Sequence, residues 1–183
     1  INLPQVITSA IAISLVPVVS SAYAVNDIKR TRENTNLAIR VSLLIGLPCA
    51  VGLFVLATPI IGLLYPNEPA SVGGILAIMA IGVVFLSLIQ SFTSVLQGMG
   101  KAHIPVFNLF VGAAVKFVLT YVLTALPSLN VKGAAISTVV AYVVAAVLDY
   151  FSVKKYLGLK FSVNDFLFRP LITAGIMGII ARV

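Results

Sequence analysis

The chain has 183 residues, of which 60% are hydrophobic and only 9% are Asp, Glu, Lys or Arg, and its mean hydropathy is +1.13. A soluble domain must cover its core with polar surface, and so few charged residues cannot supply that surface. The charges gather between apolar runs of about 20 residues, the length that crosses a bilayer. The runs are continuous rather than alternating, so they predict an all-α, polytopic transmembrane helical bundle and not a barrel.

The net charge of +7 does not indicate a nucleic-acid partner, because the Lys and Arg residues flank apolar spans instead of forming one basic face. The expected neighbours of these side chains are membrane lipids. Cys49 is the only cysteine and lies inside an apolar span, which excludes a disulfide framework or a cysteine-based metal site within this chain. We predict no metal site and no cofactor.

Six candidate spans follow one another along the chain, at 4–25, 41–65, 72–98, 104–126, 133–153 and 167–183. Short segments rich in Pro, Gly and Asn separate them at 66–69, 98–101 and 127–130, so neighbouring helices are predicted to run antiparallel. The last apolar run stops where the sequence stops. We therefore expect residues 1–183 to be a fragment of a larger transmembrane lobe whose partner lobe is missing.

The basic residues of the connecting segments are distributed asymmetrically. Nine of the 12 Lys and Arg residues lie in 26–40, 99–103 and 154–169, whereas Lys132 alone lies in the segments of the opposite side. Short loops rich in Lys and Arg remain in the cytoplasm. The first span is therefore predicted to run from the outside inward, with the later spans alternating.

Two prolines lie well inside predicted spans, Pro17 in the first and Pro48 in the second, with Gly46 and Gly52 close to the latter. Proline and glycine allow a transmembrane helix to bend, as helices of alternating-access transporters must. They also allow helices to approach closely without any movement. Pro17 and Pro48 are hinge candidates under the first interpretation and packing residues under the second.

Lys116 is the sharpest functional signal, because it lies near the middle of the fourth span. An ammonium at that depth is costly and normally faces a bundle interior or a water-filled route. A polar stripe with a spacing of four residues accompanies it on the same helix: Asn108, Gly112, Lys116, Thr120 and Thr124. We predict that Lys116, Asn108 and Thr120 line a substrate cavity. The alternative is a structural lysine bonded to backbone carbonyls or to an absent helix.

A second polar stripe follows the third span: Ser87, Gln90, Ser91, Ser94 and Gln97. Gln90, Ser94 and Gln97 are further cavity candidates, although hydrogen bonding between helices explains such a stripe equally well. Asp149 is the only carboxylate inside a span. It is predicted to be an interfacial cap near Lys154 or Lys155, with a proton or sodium site as the alternative.

The sequence contains no nucleophile–base arrangement, paired carboxylates, phosphate-binding glycine loop or metal-ligand cluster. No catalytic residue is assigned, and the chain is predicted not to be an enzyme. A membrane-embedded transferase is disfavoured because the loops carry no acidic metal-binding cluster.

Several strings resemble the second half of bacterial lipid-linked oligosaccharide flippases. They lie at 7–12, 16–23, 46–53, 96–106, 112–116 and 133–138. In this order and spacing they resemble the polysaccharide biosynthesis branch of the multidrug/oligosaccharidyl-lipid/polysaccharide exporter (MATE-like) superfamily, close to MurJ-like lipid II flippases of Gram-positive bacteria and to stage V sporulation protein B.

This resemblance implies a two-lobed transporter of the bacterial plasma membrane, with this chain supplying most of the C-terminal lobe. The implied activity is movement of a polyprenyl-pyrophosphate-linked saccharide, a lipid II-type peptidoglycan precursor or another polysaccharide unit, from the inner to the outer leaflet. Some relatives carry a basic residue after the proline that matches Pro17, where this chain has Val18. The alternatives are a cation-coupled multidrug exporter of the same superfamily and a non-transporting membrane scaffold for cell-wall enzymes.

Overall fold

The computed structural model describes residues 2–65, 71–125 and 130–158. Within these ranges the chain is helical apart from short turns. The helices are α1 (Asn2–Ala24), α2 (Ile28–Val55), α3 (Ala57–Leu64), α4 (Ser71–Gly98), α5 (His103–Thr124) and α6 (Asn130–Leu157). The predicted all-α class is confirmed, while the predicted span 167–183 lies outside the described residues.

Four of these helices, α2, α4, α5 and α6, are long and apolar enough to cross a membrane. In α1 the apolar stretch of that kind is shorter and runs over Thr8–Ala24. At 1.5 Å per residue, the 28 residues of α2, α4 and α6 give helices of about 42 Å, longer than a hydrocarbon core of roughly 30 Å. Their ends therefore extend into the headgroup region or beyond it.

The basic segment between the first two predicted spans is helical, and α2 begins at Ile28, well before residue 41. Asp27 starts this helix, because its carboxylate accepts a hydrogen bond of 2.9 Å from the backbone N–H of Arg30. Residues 28–45 contain neither Gly nor Pro, so nothing in the sequence interrupts the helix as it passes from the charged segment into the apolar one.

The second predicted span is divided at Leu56, where α2 ends and α3 begins. Pro59 explains the break, since its ring lacks an N–H and would clash with the carbonyl four residues earlier, at Val55. Pro17 and Pro48, in contrast, lie inside the continuous helices α1 and α2. The interruption therefore follows from Pro59 and not from either hinge candidate, and the two predicted hinges remain predictions.

Helix α4 is central to the described bundle, with α1, α2, α3 and α6 packed around it, while α5 packs mainly on α6. A buried apolar cluster lies toward one end of the bundle. It consists of Val19, Ile39, Leu43, Leu47, Phe92, Val95, Leu96, Met99, Val153 and Leu157. These residues come from α1, α2, α4, the turn after α4, and α6, so the four helices share one core.

Close helix contacts are made through small residues, as is usual where lipid supplies no hydrophobic driving force between helices. An added Cβ on Gly98 of α4 would come within 2.9 Å of the Val16 carbonyl oxygen of α1. An added Cβ on Gly112 of α5 would come within 3.1 Å of the Ala141 carbonyl oxygen of α6. At Gly98 an added methyl group would clash with α1, and at Gly112 it would make a tight contact with α6.

The structure brings the basic segments together at one end of the bundle. The Arg32 guanidinium near the start of α2 donates a hydrogen bond to the carbonyl of Leu157, the last residue of α6. Lys101, in the turn between α4 and α5, places its Nζ 3.3 Å from the centre of the Tyr156 ring. The positive-inside rule assigns this end to the cytoplasm, and we refer to it as the cytoplasmic end.

Candidate functional site

Lys116 is exposed on α5, a helix that is itself a candidate span. It lies 13 residues from His103 at the cytoplasmic end of α5, which is about 20 Å at 1.5 Å per residue. It lies 8 residues, or about 12 Å, from Thr124 at the outer end. The side chain is therefore deep in the span and nearer its outer end. It is not enclosed by the helices of the described bundle.

The face of α5 that carries Lys116 differs from the helix's aromatic face. Four aromatic side chains are 68–78% exposed on one side of α5: Phe107, Phe110, Phe117 and Tyr121. At about 100° per residue, Lys116 lies roughly 100° or more around the helix from each of them. The aromatic face suits acyl chains, whereas Lys116 points away from it.

A buried polar cluster joins α5 to α6 on the cytoplasmic side of Lys116. The Asn108 side-chain amide donates to Asp149 Oδ1 at 2.8 Å and to Ser152 Oγ at 3.2 Å. Asp149 is only 1% exposed and Asn108 only 7%. Asn108 thus acts in the described structure as a contact between two helices.

The prediction that Asp149 caps an interface near Lys154 or Lys155 is wrong. Its carboxylate is buried in the α5–α6 contact and accepts from Asn108, whereas Lys154 and Lys155 are exposed. The sequence places Asp149 five residues before Lys154, and a separation of five residues turns a helix by about 140°. The lysines and the carboxylate therefore lie on different sides of α6.

Thr120 also joins α5 to α6, on the outer side of Lys116. Its Oγ1 lies 2.6 Å from Ser137 Oγ, and the Ser137 hydroxyl in turn lies within bonding distance of the Ala134 carbonyl. Thr124 donates to the Thr120 carbonyl of its own helix. The predicted stripe on α5 thus contacts α6 on both the cytoplasmic and the outer side of Lys116.

The polar stripe of α4 is used in part for helix packing. Ser91 forms a hydrogen bond with Ser42 of α2, and Ser87 faces Gly46, where an added Cβ would meet its hydroxyl. Ser94 is buried. The interpretation of interhelical hydrogen bonding thus applies to Ser91, and close helix packing explains Ser87.

Two glutamines of the same stripe differ in their exposure in the described structure. Gln97 is exposed and Gln90 is half-buried. The Gln90 Oε1 atom is buried and has no hydrogen-bond partner, an arrangement that usually indicates a missing partner. Gln90 is therefore the α4 candidate that keeps an unused hydrogen-bonding group.

The two polar stripes do not converge within the described residues. Helix α6 packs against both α4 and α5, which touch each other only marginally. Ile104 of α5 packs against the buried apolar cluster. Lys116 lies about 120° around α5 from Ile104. Lys116 is therefore directed away from that cluster.

Sequence patterns missed the partners of the predicted residues. Ser42, Ser137 and Ser152 each bond a polar side chain of another helix. A signal existed for Ser152, because it follows Asp149 by three residues and so shares its helix face. Among the described residues, no group of three or more His, Cys, Asp or Glu side chains is placed to hold a metal ion.

The apolar helices, the basic cytoplasmic end and the polar contacts between helices define an all-α, multi-pass membrane protein. A family model described as Lipid II flippase MurJ matches residues 2–182. The chain belongs to this family, whose members are multi-pass proteins of the bacterial plasma membrane.

Individual relatives agree with this assignment. The chain is 28% identical to stage V sporulation protein B of Bacillus subtilis, over 91% of this chain and 32% of that protein. It is 23% identical to the lipid II flippase MurJ of Bacillus subtilis, over 100% of this chain and 34% of that protein. It is 30% identical to a probable lipid II flippase MurJ of Rhizobium meliloti, over 78% and 28% of the two chains. The chain spans about a third of the length of these relatives.

Proposed function

We propose that this chain is part of a flippase that moves a polyprenyl-pyrophosphate-linked saccharide from the inner to the outer leaflet. A lipid II-type peptidoglycan precursor is the substrate class that the names of the relatives support. Another polysaccharide unit is consistent with the same chemistry. The protein acts as a transporter, without a catalytic step of its own.

The exposure of Lys116 deep in a candidate span is the observation that carries this proposal. Unassisted crossing would strip water from a diphosphate and many sugar hydroxyls, at several kcal/mol for each unsatisfied group. An ammonium at this depth offsets part of that cost by pairing with the diphosphate. Because Lys116 is not enclosed by the described helices, we propose that a second lobe completes a water-filled chamber around it.

The sign of the charge favours an anionic substrate. A cation-coupled multidrug exporter needs a carboxylate along its route, whereas Asp149 is buried and bonded to Asn108. The exposed charge deep in a span is that of Lys116, and a deep lysine repels cationic compounds. A scaffold for cell-wall enzymes would instead use Lys116 in a dry helix contact. An anion with about two charges gains roughly 4–5 kcal/mol per 100 mV when it moves outward across an inside-negative membrane, so the membrane potential can supply direction.

Replacing Lys116 with Gln tests the proposal in the full-length protein. Depletion of the protein should cause its lipid-linked precursor to accumulate on the cytoplasmic leaflet, and wild type should restore outward movement. We expect Lys116→Gln to lower the translocation rate by about tenfold or more, since losing a charged hydrogen bond to the substrate costs roughly 1.5–3 kcal/mol. Lys116→Arg should retain more activity. Normal translocation by Lys116→Gln would contradict the assigned role.

Lys132→Gln is the matched control, because Lys132 is exposed near the outer end of α6 and the change removes the same single charge. We expect its translocation rate to remain close to that of wild type. If both variants lost the same activity, net charge rather than a cation within the route would be responsible.

A further inference from the structure

We propose that the cytoplasmic end of α6 binds an anionic phospholipid of the inner leaflet. The phosphate would lie at Lys154 and Lys155, and one acyl chain would follow Phe151 and Val147 toward the membrane centre. We call these four residues the α6 lipid face. This site is separate from Lys116 and does not depend on what the protein transports.

The four side chains share one exposed side of α6. Val147 is 44% exposed and Phe151 57% exposed, and Lys154 and Lys155 are exposed in the last turn. At about 100° per residue, their positions fall within a sector of roughly 100° on the helix surface. Buried neighbours such as Asp149 and Val153 lie on the sides that contact other helices. The α6 lipid face is therefore open to the surroundings of the described bundle.

The order of the side chains along the axis of α6 matches the order of groups in a phospholipid. Phe151 and Val147 precede Lys154 by three and seven residues, or about 5 Å and 10 Å along the helix axis. The lysines lie where α6 ends at the cytoplasmic end, the level at which headgroup phosphates are expected. A soluble anion would contact the lysines alone, whereas a lipid would contact the lysines with its phosphate and Phe151 and Val147 with an acyl chain.

Neighbouring cations strengthen the attraction for a phosphate. Arg32 is held beside the end of α6 by its hydrogen bond to the Leu157 carbonyl, and Lys101, over the Tyr156 ring, adds positive charge at the same level on the other side of α6. Of the described acidic residues at this end, Asp27 is engaged in capping α2, Asp149 is buried and bonded to Asn108, and Glu33 is exposed on α2. Positive charge therefore dominates around the last turn of α6.

Native mass spectrometry of the full-length protein tests this site. Phosphatidylglycerol and phosphatidylcholine with identical acyl chains are added in turn, and the lipid-bound fraction is measured. We expect wild type to retain phosphatidylglycerol preferentially. The double variant Lys154→Gln/Lys155→Gln should weaken that binding by roughly tenfold or more, because each basic residue near an anionic lipid contributes about a fivefold effect. Lys154→Arg/Lys155→Arg should keep it.

The double variant Lys29→Gln/Arg30→Gln is the matched control. It removes two charges from the same end, where both residues are exposed in the first turn of α2, but leaves the α6 lipid face intact. It should retain the preference for phosphatidylglycerol. Equal losses in the two double variants would show diffuse attraction and overturn the proposal. Equal binding of phosphatidylglycerol and phosphatidylcholine by wild type, or complete competition by inorganic phosphate, would overturn it as well.

Discussion

Gly98→Leu is expected to lower the free energy of unfolding by about 3 kcal/mol or more, because overpacking a tight contact forces the backbones apart. Gly98 lies where α4 crosses α1. An ideal Cβ there would be 2.9 Å from both the Val16 carbonyl oxygen and Val19 Cβ. Both obstacles are close to the backbone, so a rotamer change cannot relieve them. The measurement is the thermal unfolding midpoint of the full-length protein in detergent.

Gly62→Leu provides the control for this substitution. Gly62 lies in α3, and an added Cβ there meets nothing within 4 Å. The same change of residue should alter the free energy of unfolding by only about 0.5 kcal/mol, as is usual for exposed positions. A Gly98→Leu protein that unfolds at the wild-type midpoint would show that α1 and α4 do not cross at Gly98.

Asp149→Ala is expected to destabilise the protein by about 2 kcal/mol, because it leaves a buried amide without its main acceptor. Asn108 would retain only the longer hydrogen bond to Ser152, of 3.2 Å. The loss should appear as a lower unfolding midpoint and as faster hydrogen exchange at the cytoplasmic ends of α5 and α6. These two ends are joined by the Asn108–Asp149 pair.

Asp149→Asn distinguishes the effect of the hydrogen bond on stability from the effect of the negative charge. It keeps an acceptor oxygen of nearly the same shape, so it should retain at least half of the stability that Asp149→Ala loses. Equal destabilisation by Ala and Asn would mean that the charge itself, and not the bond to Asn108, stabilises the helix pair.

Helix class and helix ends could be predicted from the sequence wherever local chemistry decides them. The turn at 98–101 lies between α4 and α5, and Gly100 adopts a φ of 72° there, a conformation that suits glycine. The break at Leu56 and the helical start at Ile28 differ from the predicted span 41–65. Pro59 and Asp27 account for them, because a single breaker or cap residue can end or start a helix inside a segment whose composition is otherwise uniform.

At the candidate site, the exposure of the side chains could not be predicted from their spacing. Asn108, Lys116 and Thr120 share a helix face by spacing alone, yet Asn108 is buried, Thr120 is half-buried and bonded to Ser137, and Lys116 is exposed. Periodicity indicates which side chains point the same way. It does not indicate how far a neighbouring helix extends across that side.

Three properties of this protein follow from its amino-acid sequence alone: it crosses a membrane as helices, its basic segments share one side, and it belongs to the family named above. Those properties depend on composition, on local breaker residues and on charge, which act along the chain. The packing of the helices was needed to show that Asp149 is bonded to Asn108 in the α5–α6 contact and that Ser91 is bonded to Ser42 of α2. Both outcomes depend on which helices meet and at what height, and that is decided by close packing between residues far apart in the chain.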